Sequence, residues 1–293
     1  MTLALSVTAL LATMACGVCF AGFDAARKWA GASVTPGPML IWIFVGHLPV
    51  FAVLAIIDGW PVVTSAYWLP MAGAVLVGFV SNVMFLESLR RAALSETIPL
   101  LSITPVTTSL AGYLFLGEAL SAGQGLGIAF VMLGILVLYR GPGQGFGAAL
   151  RRLATETGAL LMAGVALLWS ILPVFDKLAV AESSIPAHVL IALSFLLPML
   201  LAWTLLKGES PLPPKGTALL ATLLAAFVGA ASLAFQLWAI TLAPVGLVEA
   251  LKRVIGQTAA VASGRLFFGE PWTANKTMAI VLMALGVPLV ILG

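Results

Sequence analysis

A long apolar segment near the end of the chain, residues 246–268, contains three charged residues close to its start. Glu249, Lys252 and Arg253 all lie within the stretch VEALKRVIGQ. A charge inside a bilayer costs about 3 kcal/mol on insertion scales, so three of them indicate a structural or chemical role. Lysine and arginine at such a position suit a carboxylate or a phosphate, whereas the glutamate suits an ammonium group.

The spacing of these charges supports two interpretations. Glu249 precedes Arg253 by four residues, which places both on one helix face and neutralises part of the arginine's charge. Lys252 points about 100° away from that face and has no such local partner. Either Lys252 and Arg253 face a substrate, or Lys252 snorkels to a membrane surface about 9 Å away while Arg253 pairs locally.

Other polar or amphipathic residues also interrupt apolar segments. Asn82 and Glu87 lie in the third segment, and Gln236 and Trp238 lie in the eighth. Each either faces the same cavity or serves packing and hydrogen bonding between helices. His47 is a candidate proton carrier because imidazole titrates near neutral pH, although a lone histidine also suits packing. The residues predicted to bind substrate are Lys252, Arg253, Glu249, Trp238, Gln236 and Asn82.

These residues are positioned by a chain that is far more apolar than a water-soluble domain. Of its 293 residues, 61% are hydrophobic and 9% are charged, and the mean hydropathy is +1.13. Soluble domains are about one-quarter charged, so lipid must cover most of this surface. No basic residue precedes the first apolar segment, which predicts a retained helix rather than a cleaved signal peptide. Ten spanning segments are predicted, at 3–23, 38–57, 68–89, 93–116, 121–139, 158–180, 186–206, 217–242, 246–268 and 272–292.

The two halves of the chain repeat each other at one offset. Phe23-Asp24, Gly117-Glu118 and Gly134 recur 152 residues later as Phe175-Asp176, Gly269-Glu270 and Gly286. A repeat of five helices is odd, so the second copy crosses the membrane in the opposite sense. We therefore predict an all-α membrane protein of ten transmembrane helices, built as two inverted five-helix repeats. The predicted units are a first repeat over 1–139, a linker over 140–157 and a second repeat over 158–293.

The residues shared by the two repeats are interpreted mainly as structural. Glu118 and Glu270 follow glycines at tight turns, and the matched glycines suit close helix packing. Asp24 and Asp176 are expected to pair with nearby basic residues, namely Arg27, Lys28 or Lys177. Ser121 with Gln124 is expected to cap the fifth helix, and Thr273 the tenth.

Several classes of function are excluded by what the sequence lacks. Cys16 and Cys19 form a C-x-x-C inside an apolar segment, where they are better interpreted as small buried hydrophobic residues than as a metal or redox site. The chain contains no H-E-x-x-H or G-x-S-x-G motif and only two histidines, which argues against an intramembrane enzyme. Basic residues lie at segment ends rather than in one patch, which argues against nucleic acid. We expect no catalytic residue, metal or cofactor.

The sequence resembles the drug/metabolite transporter superfamily, and within it the EamA-like branch. The resemblance rests on the ten-segment pattern, the duplicated Gly-Glu, and the stretch AALSETIPLLSITPV. A narrower likeness lies in ALKRVIGQTAAVASGRLFFGEPWT, which is similar to the ninth-helix region of triose-phosphate and nucleotide-sugar transporters. In the triose-phosphate members, a Lys-Arg pair at this place binds the substrate's phosphate. The resemblance therefore implies that Lys252 and Arg253 are anion ligands.

These features together predict a secondary transporter that works by alternating access. The expected solute is a small anionic or zwitterionic metabolite carrying a carboxylate or a phosphate. A polyspecific exporter of drugs, amphipaths or amino acids is one alternative, and a lipid flippase is another. A functional monomer is expected, because ten helices enclose a complete repeat pair, and a dimer stays open.

The basic residues predict how the protein lies in the membrane. Segments that follow helices 1, 3, 5, 7 and 9 contain eleven Lys and Arg residues, whereas the opposite side contains one, Lys177. The positive-inside rule then places both termini on the non-cytoplasmic side, in what we expect to be a bacterial inner membrane.

Overall fold

The computed structural model describes residues 5–31, 33–91, 101, 103–138, 156–268 and 273–292. These residues form ten α-helices and no strand. A short 3-10 turn, Ser65–Tyr67, precedes the third helix. The helices are α1 Val7–Gly31, α2 Pro36–Asp58, α3 Trp68–Arg91, α4 Thr104–Leu116, α5 Ala122–Leu138, α6 Thr157–Ala181, α7 Ile185–Leu206, α8 Thr217–Leu242, α9 Val245–Phe268 and α10 Ala274–Leu292.

The helices have the length and composition of membrane spans. Across the described ranges, seven helices are long and apolar enough to cross a bilayer: α1, α2, α3, α6, α7, α8 and α10. Helix α5 is apolar but only 17 residues long. Helix α9 has 24 residues, and Glu249, Lys252 and Arg253 lower its hydropathy. The prediction of an all-α membrane protein with ten helices is confirmed.

Most predicted boundaries agree with the structure to within two residues. The first predicted helix, 3–23, is wrong at its end, because α1 continues to Gly31. Asp24 and Arg27 do not end the helix, since they form an ion pair across one turn at 2.8 Å. Of the fourth predicted helix, 93–116, the structure describes 101 and 103–116. The predicted linker lies outside the described residues except for its last two.

Two predicted helix caps are confirmed. Ser121 Oγ accepts a hydrogen bond from the Gln124 amide at 3.0 Å, and Gln124 Oε1 accepts one from the Ser121 amide at 3.1 Å. This reciprocal arrangement is a capping box, and it fixes the start of α5. Thr273 Oγ1 accepts a hydrogen bond from the Lys276 amide at 3.3 Å, which caps α10.

Each repeat packs mainly against the other. Helix α1 packs on α8, α3 on α6, α2 on α7, α4 on α9 and α5 on α10. Helices α1 to α5 correspond in order to α6 to α10. Exchanging the two repeats therefore turns the α1–α8 pair into the α6–α3 pair, and it leaves the other three pairs unchanged. This packing is the pattern expected for two inverted five-helix repeats that share one core.

The matched glycines lie at one of these interfaces, as predicted. A Cβ at Gly134 of α5 would lie 2.9 Å from the carbonyl oxygen of Ala279 in α10. A Cβ at Gly286 of α10 would lie 2.7 Å from the carbonyl oxygen of Gly127 in α5. Neither position has room for a larger residue, because two backbones approach each other there.

Hydrogen bonds between helix ends and connecting segments distinguish the two ends of the bundle. Gly37 donates its amide to Glu209 at 2.9 Å, which joins the start of α2 to the segment after α7. We call this the basic end, because the helices that finish there are followed by most of the lysines and arginines. Glu118, after α4, accepts a hydrogen bond from the Val245 amide at the start of α9, which marks the opposite end.

Candidate functional site

The three charged residues of α9 form one cluster inside the bundle. Glu249 Oε2 lies 2.6 Å from Lys252 Nζ, and Glu249 Oε1 lies 3.0 Å from Arg253 Nε. The Glu249 side chain is 5% exposed, while those of Lys252 and Arg253 are 14% and 16% exposed. The predicted pairing of Glu249 with Arg253 is confirmed. The prediction that Lys252 has no local partner is wrong, because the i,i+3 spacing also brings flexible side chains together.

Lys252 points into the bundle rather than toward a membrane surface. Its Nζ donates a hydrogen bond to Gln236 Oε1 of α8 at 3.0 Å. The same atom lies 4.7 Å from the centre of the Phe20 ring of α1, which is a cation–π contact. Contacts with α1, α8 and α9 hold the ammonium group away from the lipid interface, so the snorkelling interpretation does not describe this conformation.

Helix α4 completes the surroundings of the Glu249 carboxylate. Thr104, which is fully buried, has its Oγ1 3.4 Å from Glu249 Oε1. The same hydroxyl donates to the carbonyl of Leu101 at 2.8 Å. Sequence reasoning missed both Thr104 and Phe20, because each reaches the cluster from a helix of the other repeat. The stretch that contains Thr104 was noted only for its family resemblance.

Within the part of the chain that the structure describes, the cluster contains two cations and one carboxylate, an excess of one positive charge. Arg253 uses Nε to bind Glu249, and its terminal amino groups have no hydrogen-bond acceptor among the described residues. A guanidinium can offer such groups to a carboxylate or phosphate in a bidentate manner. Among the described residues, the cluster thus offers donor groups and charge that suit an anion.

Two of the six predicted residues lie away from this cluster. Trp238 follows Gln236 by two residues, so it points about 200° around α8 from it, and it is 41% exposed. Asn82 donates its amide to the carbonyl of Gly78 at 2.8 Å, and α3 packs against α6 and α7 rather than α9. The structure brings together Glu249, Lys252, Arg253 and Gln236.

A row of aromatic side chains leads from the cluster toward the basic end. The rings of Phe20 and Phe23 on α1 meet edge to face, with centroids 6.3 Å apart. Arg27 Cζ lies 5.0 Å from the Phe23 centroid and 4.9 Å from the Phe85 centroid. Phe85 in turn packs against Trp169 of α6 at 5.3 Å. We call these four aromatic residues the aromatic row.

The opposite end is tied together by one carboxylate. Glu118 Oε1 lies 2.6 Å from Lys177 Nζ of α6, and Glu118 Oε2 accepts the Val245 amide at 2.8 Å. Lys177 also donates to the carbonyl of Ala243 at 2.9 Å. The predicted structural role of Glu118 is confirmed, since it joins α4 to α6 and to the start of α9. Glu270, its match in the second repeat, lies outside the described residues.

The two matched aspartates have different partners. Asp24 pairs with Arg27, as predicted. Asp176 does not pair with Lys177, because neighbouring residues on a helix point about 100° apart. It instead lies 3.3 Å from His188 Nε2, and His188 Nδ1 lies 3.2 Å from the Tyr67 hydroxyl. This buried group links α6 and α7 to the turn before α3.

The remaining polar candidates have structural surroundings. His47 is 2% exposed, packs against Phe44 with ring centroids 5.4 Å apart, and has no hydrogen-bond partner for either nitrogen in the described part of the chain. Its role as a proton carrier stays a prediction. Glu87 pairs with Lys207 at 3.0 Å and with Arg91 at 3.5 Å, which joins α3 to α7 at the basic end.

The cysteines and acidic residues do not form a metal site where the structure describes them. Cys16 and Cys19 are both free thiols, and Cys16 is buried. No group of three histidine, cysteine or acidic side chains that fits a metal ion is found among the described residues.

Comparisons with known proteins agree with this architecture. A model of the EamA-like transporter family matches residues 7–140 and 156–292. One solved crystal structure of a protein is similar with a TM-score of 0.77 and 19% sequence identity, over 96% of this chain and 95% of that chain. At this identity the likeness concerns the fold alone. No curated protein sequence matches the chain.

Proposed function

The chain belongs to the EamA-like transporter family, and we propose that it moves a small organic solute across the membrane by alternating access. The solute is an anionic or zwitterionic metabolite that carries a carboxylate or a phosphate. The observation that carries this proposal is the charge cluster of α9, in which Lys252 and Arg253 share the single carboxylate of Glu249. A buried cation without a full counter-charge favours the binding of an anion.

The arrangement favours recognition of the anion at little cost in reorganisation. The Lys252 ammonium is already held by Glu249, Gln236 and Phe20. Most of the water around this ammonium group has therefore been removed before the solute binds. An incoming carboxylate or phosphate then meets a cation in fixed geometry. Hydrogen bonds between such charged groups contribute roughly 1.5–3 kcal/mol each. The ring of Phe20 offers an apolar surface beside the charge for the body of the solute.

Glu249 gives the site a second function in this proposal. Without solute, its carboxylate balances one of the two cations and keeps the interior of the bundle stable. When the solute is a zwitterion, the Glu249 carboxylate is also the acceptor that the ammonium group of the solute would bind. When the solute leaves, Lys252 and Arg253 both pair with Glu249 again. The empty transporter can then reorient from one side of the membrane to the other while the Glu249 carboxylate keeps a cationic partner.

The same proposal includes the setting of the protein. We infer a bacterial inner membrane, with the basic end in the cytoplasm and both termini on the non-cytoplasmic side, from the positive-inside rule. The transporting unit is a monomer that binds only its solute and the lipid bilayer. Neither a cofactor nor a nucleic acid takes part.

Thermal stability of the purified protein against a panel of solutes tests the proposal. A ligand at 100 times its dissociation constant stabilises the folded state by about 2.7 kcal/mol. We expect a carboxylate or phosphate from the panel to raise the melting temperature of the wild type. Lys252→Gln should lose that response, because it leaves Glu249 and Arg253 as a balanced pair. Lys207→Gln, which removes a lysine from an ion pair at the basic end, should retain it.

Other results would support other functions. Stabilisation by quaternary ammonium compounds or neutral amphipaths alone, equal in the wild type and in Lys252→Gln, would favour a polyspecific exporter. Stabilisation by anionic phospholipids alone would favour a flippase. Either result would contradict the proposed metabolite transporter.

A further inference from the structure

Two cations lie along one face of α1. Phe20, Phe23 and Arg27 are spaced by three and four residues, which places them on the same side of the helix. Lys252 contacts the first ring and Arg27 contacts the second. Seven residues of helix separate Phe20 from Arg27, a distance of about 10 Å along the axis. Among the described residues of this face of α1, Arg27 is therefore the cation that follows the charge cluster toward the basic end.

The guanidinium of Arg27 is held firmly but paired weakly. Its Cζ lies about equally far from the rings of Phe23 and Phe85, and the side chain is 18% exposed. Its acidic partner, Asp24, is 62% exposed. An exposed carboxylate contributes little to such a pair and exchanges readily with solvent or another anion. Arg27 is thus a fixed cation whose present counter-ion can be displaced.

Arg27 lies one turn before the end of α1, on the side of the bundle that we call the basic end. Helix α6 packs against α8, whereas α1 and α3, the equivalent pair in the other repeat, pack less closely over the described residues. The contact between Arg27 and Phe85 bridges α1 and α3. Among the described residues, Arg27 therefore lies where α1 and α3 approach each other without close backbone packing.

We propose that Arg27 is a second anion-binding station on the transport path. The carboxylate or phosphate of the solute, after leaving Lys252, displaces the Asp24 carboxylate and binds the Arg27 guanidinium between Phe23 and Phe85. The Arg27 guanidinium keeps one anionic partner throughout, because the exposed Asp24 carboxylate turns into solvent as the solute binds. This inference rests on the proposed function for the chemical class of the solute.

Chemical modification of Arg27 tests whether an anion binds there. Phenylglyoxal reacts with arginine side chains, and mass spectrometry of peptides gives the rate at each position. We use inorganic phosphate and pyruvate as probes, with sodium chloride at the same ionic strength as the reference. At ten times its dissociation constant, a bound anion slows the reaction of Arg27 about tenfold by mass action.

Arg91 is the internal control for this experiment. It also has an acidic partner on its own helix, Glu87 at 3.5 Å, but its side chain is 54% exposed at the end of α3. Its reaction rate should not respond to either probe beyond the chloride reference. Equal protection of Arg27 and Arg91, or protection of neither, would overturn the proposal.

Removing the displaceable acid sharpens the test. In Asp24→Asn, the Arg27 guanidinium loses its carboxylate, so we expect faster modification without anion and protection at a lower anion concentration than in the wild type. Unchanged protection in this variant would show that Asp24 and the probe do not compete for Arg27, which contradicts the station as proposed.

Variants of Lys252 and Arg27 distinguish a failure of this inference from a failure of the proposed function. Protection of Arg27 that persists in Lys252→Gln supports the station whether or not the central site binds anions. Arg27→Gln should retain the thermal stabilisation that depends on Lys252 but transport about tenfold more slowly, the effect of losing one charged hydrogen bond. Arg27→Lys should restore part of the rate. Wild-type transport by Arg27→Gln would overturn the station, and if that variant does not fold, the modification rates of the wild type decide.

Discussion

The two ends of the bundle differ although the two repeats share residues at matched positions. At the opposite end, Lys177 of α6 reaches both Glu118 and the carbonyl of Ala243, which follows α8. At the basic end, α1 reaches α3 through the cation–π contact of Arg27 with Phe85. At the opposite end, an ion pair with two backbone bonds joins α4, α6 and α9. At the basic end, the ion pair of Glu87 with Lys207 joins α3 to α7, and a charge on an aromatic ring bridges α1 and α3. Among the described residues, the two ends are therefore held by contacts of different kinds.

In the proposed mechanism, this difference would connect access with solute binding. Glu118 binds the amide of Val245, the first residue of α9, and Lys252 lies on that helix seven residues later. Because a helix moves as a rigid element, opening the opposite end would shift the charge cluster relative to α1 and α8. The same shift would lengthen the contacts of Lys252 with Phe20 and Gln236.

The largest expected effect comes from the cluster between the two ends. Glu249→Ala leaves Lys252 and Arg253 buried without an acid, and breaking a buried ion pair in this way costs about 3–5 kcal/mol of folding stability. Unfolding in denaturant should show this loss. The matched variant is Glu87→Ala, which removes the shared acid of an exposed pair of cations and should cost about 1 kcal/mol or less. Equal losses for the two variants would contradict the buried character of the cluster.

The next effect compares the two ends directly. Glu118→Ala removes the acid of Lys177 and the acceptor of the Val245 amide, and we expect a stability loss of about 2–3 kcal/mol. Asp24→Asn at the basic end should change stability by less than about 1 kcal/mol, because its carboxylate is exposed. Denaturant unfolding measures both variants. A larger loss for Asp24→Asn would show that the Asp24–Arg27 pair contributes more to stability than the contacts of Glu118, which contradicts this expectation.

A smaller effect is expected at the interface between α5 and α10. Gly134→Ala and Gly286→Ala each place a methyl group against a backbone carbonyl of the facing helix, which should cost about 1–3 kcal/mol. Gly125 lies on the same helix as Gly134, but a Cβ there meets nothing within 4 Å. Gly125→Ala should therefore stabilise the protein by about 0.5–1 kcal/mol. Destabilisation by all three variants would show that helix packing is not the cause.

The fold could be predicted from the sequence because its signals are long and repeated. Ten apolar segments and one constant offset between the repeats need no knowledge of contacts. The pairing of Glu249 with Arg253 was also predictable, since it depends only on helical spacing. The end of α1 was not, because the charged side chains of Asp24 and Arg27 satisfy each other within the helix.

The composition of the site could be predicted only in part. In lipid, the outward face of a helix is as apolar as its packed face, so the sequence does not show which way a side chain points. Trp238 and Asn82 were therefore included, although they point away from the cluster or bond to their own helix. Phe20 and Thr104 were missed because their contacts with α9 depend on how helices of different repeats are rotated.

Transport itself tests the central claim most directly. The anion that most stabilises the purified protein is supplied, with a radioactive label, to proteoliposomes of the wild type, Lys252→Gln and Lys207→Gln. We expect uptake by the wild type and by Lys207→Gln, and a loss of about tenfold or more in Lys252→Gln, from one charged hydrogen bond. Uptake by Lys252→Gln at the wild-type rate would contradict the claim that the surplus cation of the cluster binds the solute.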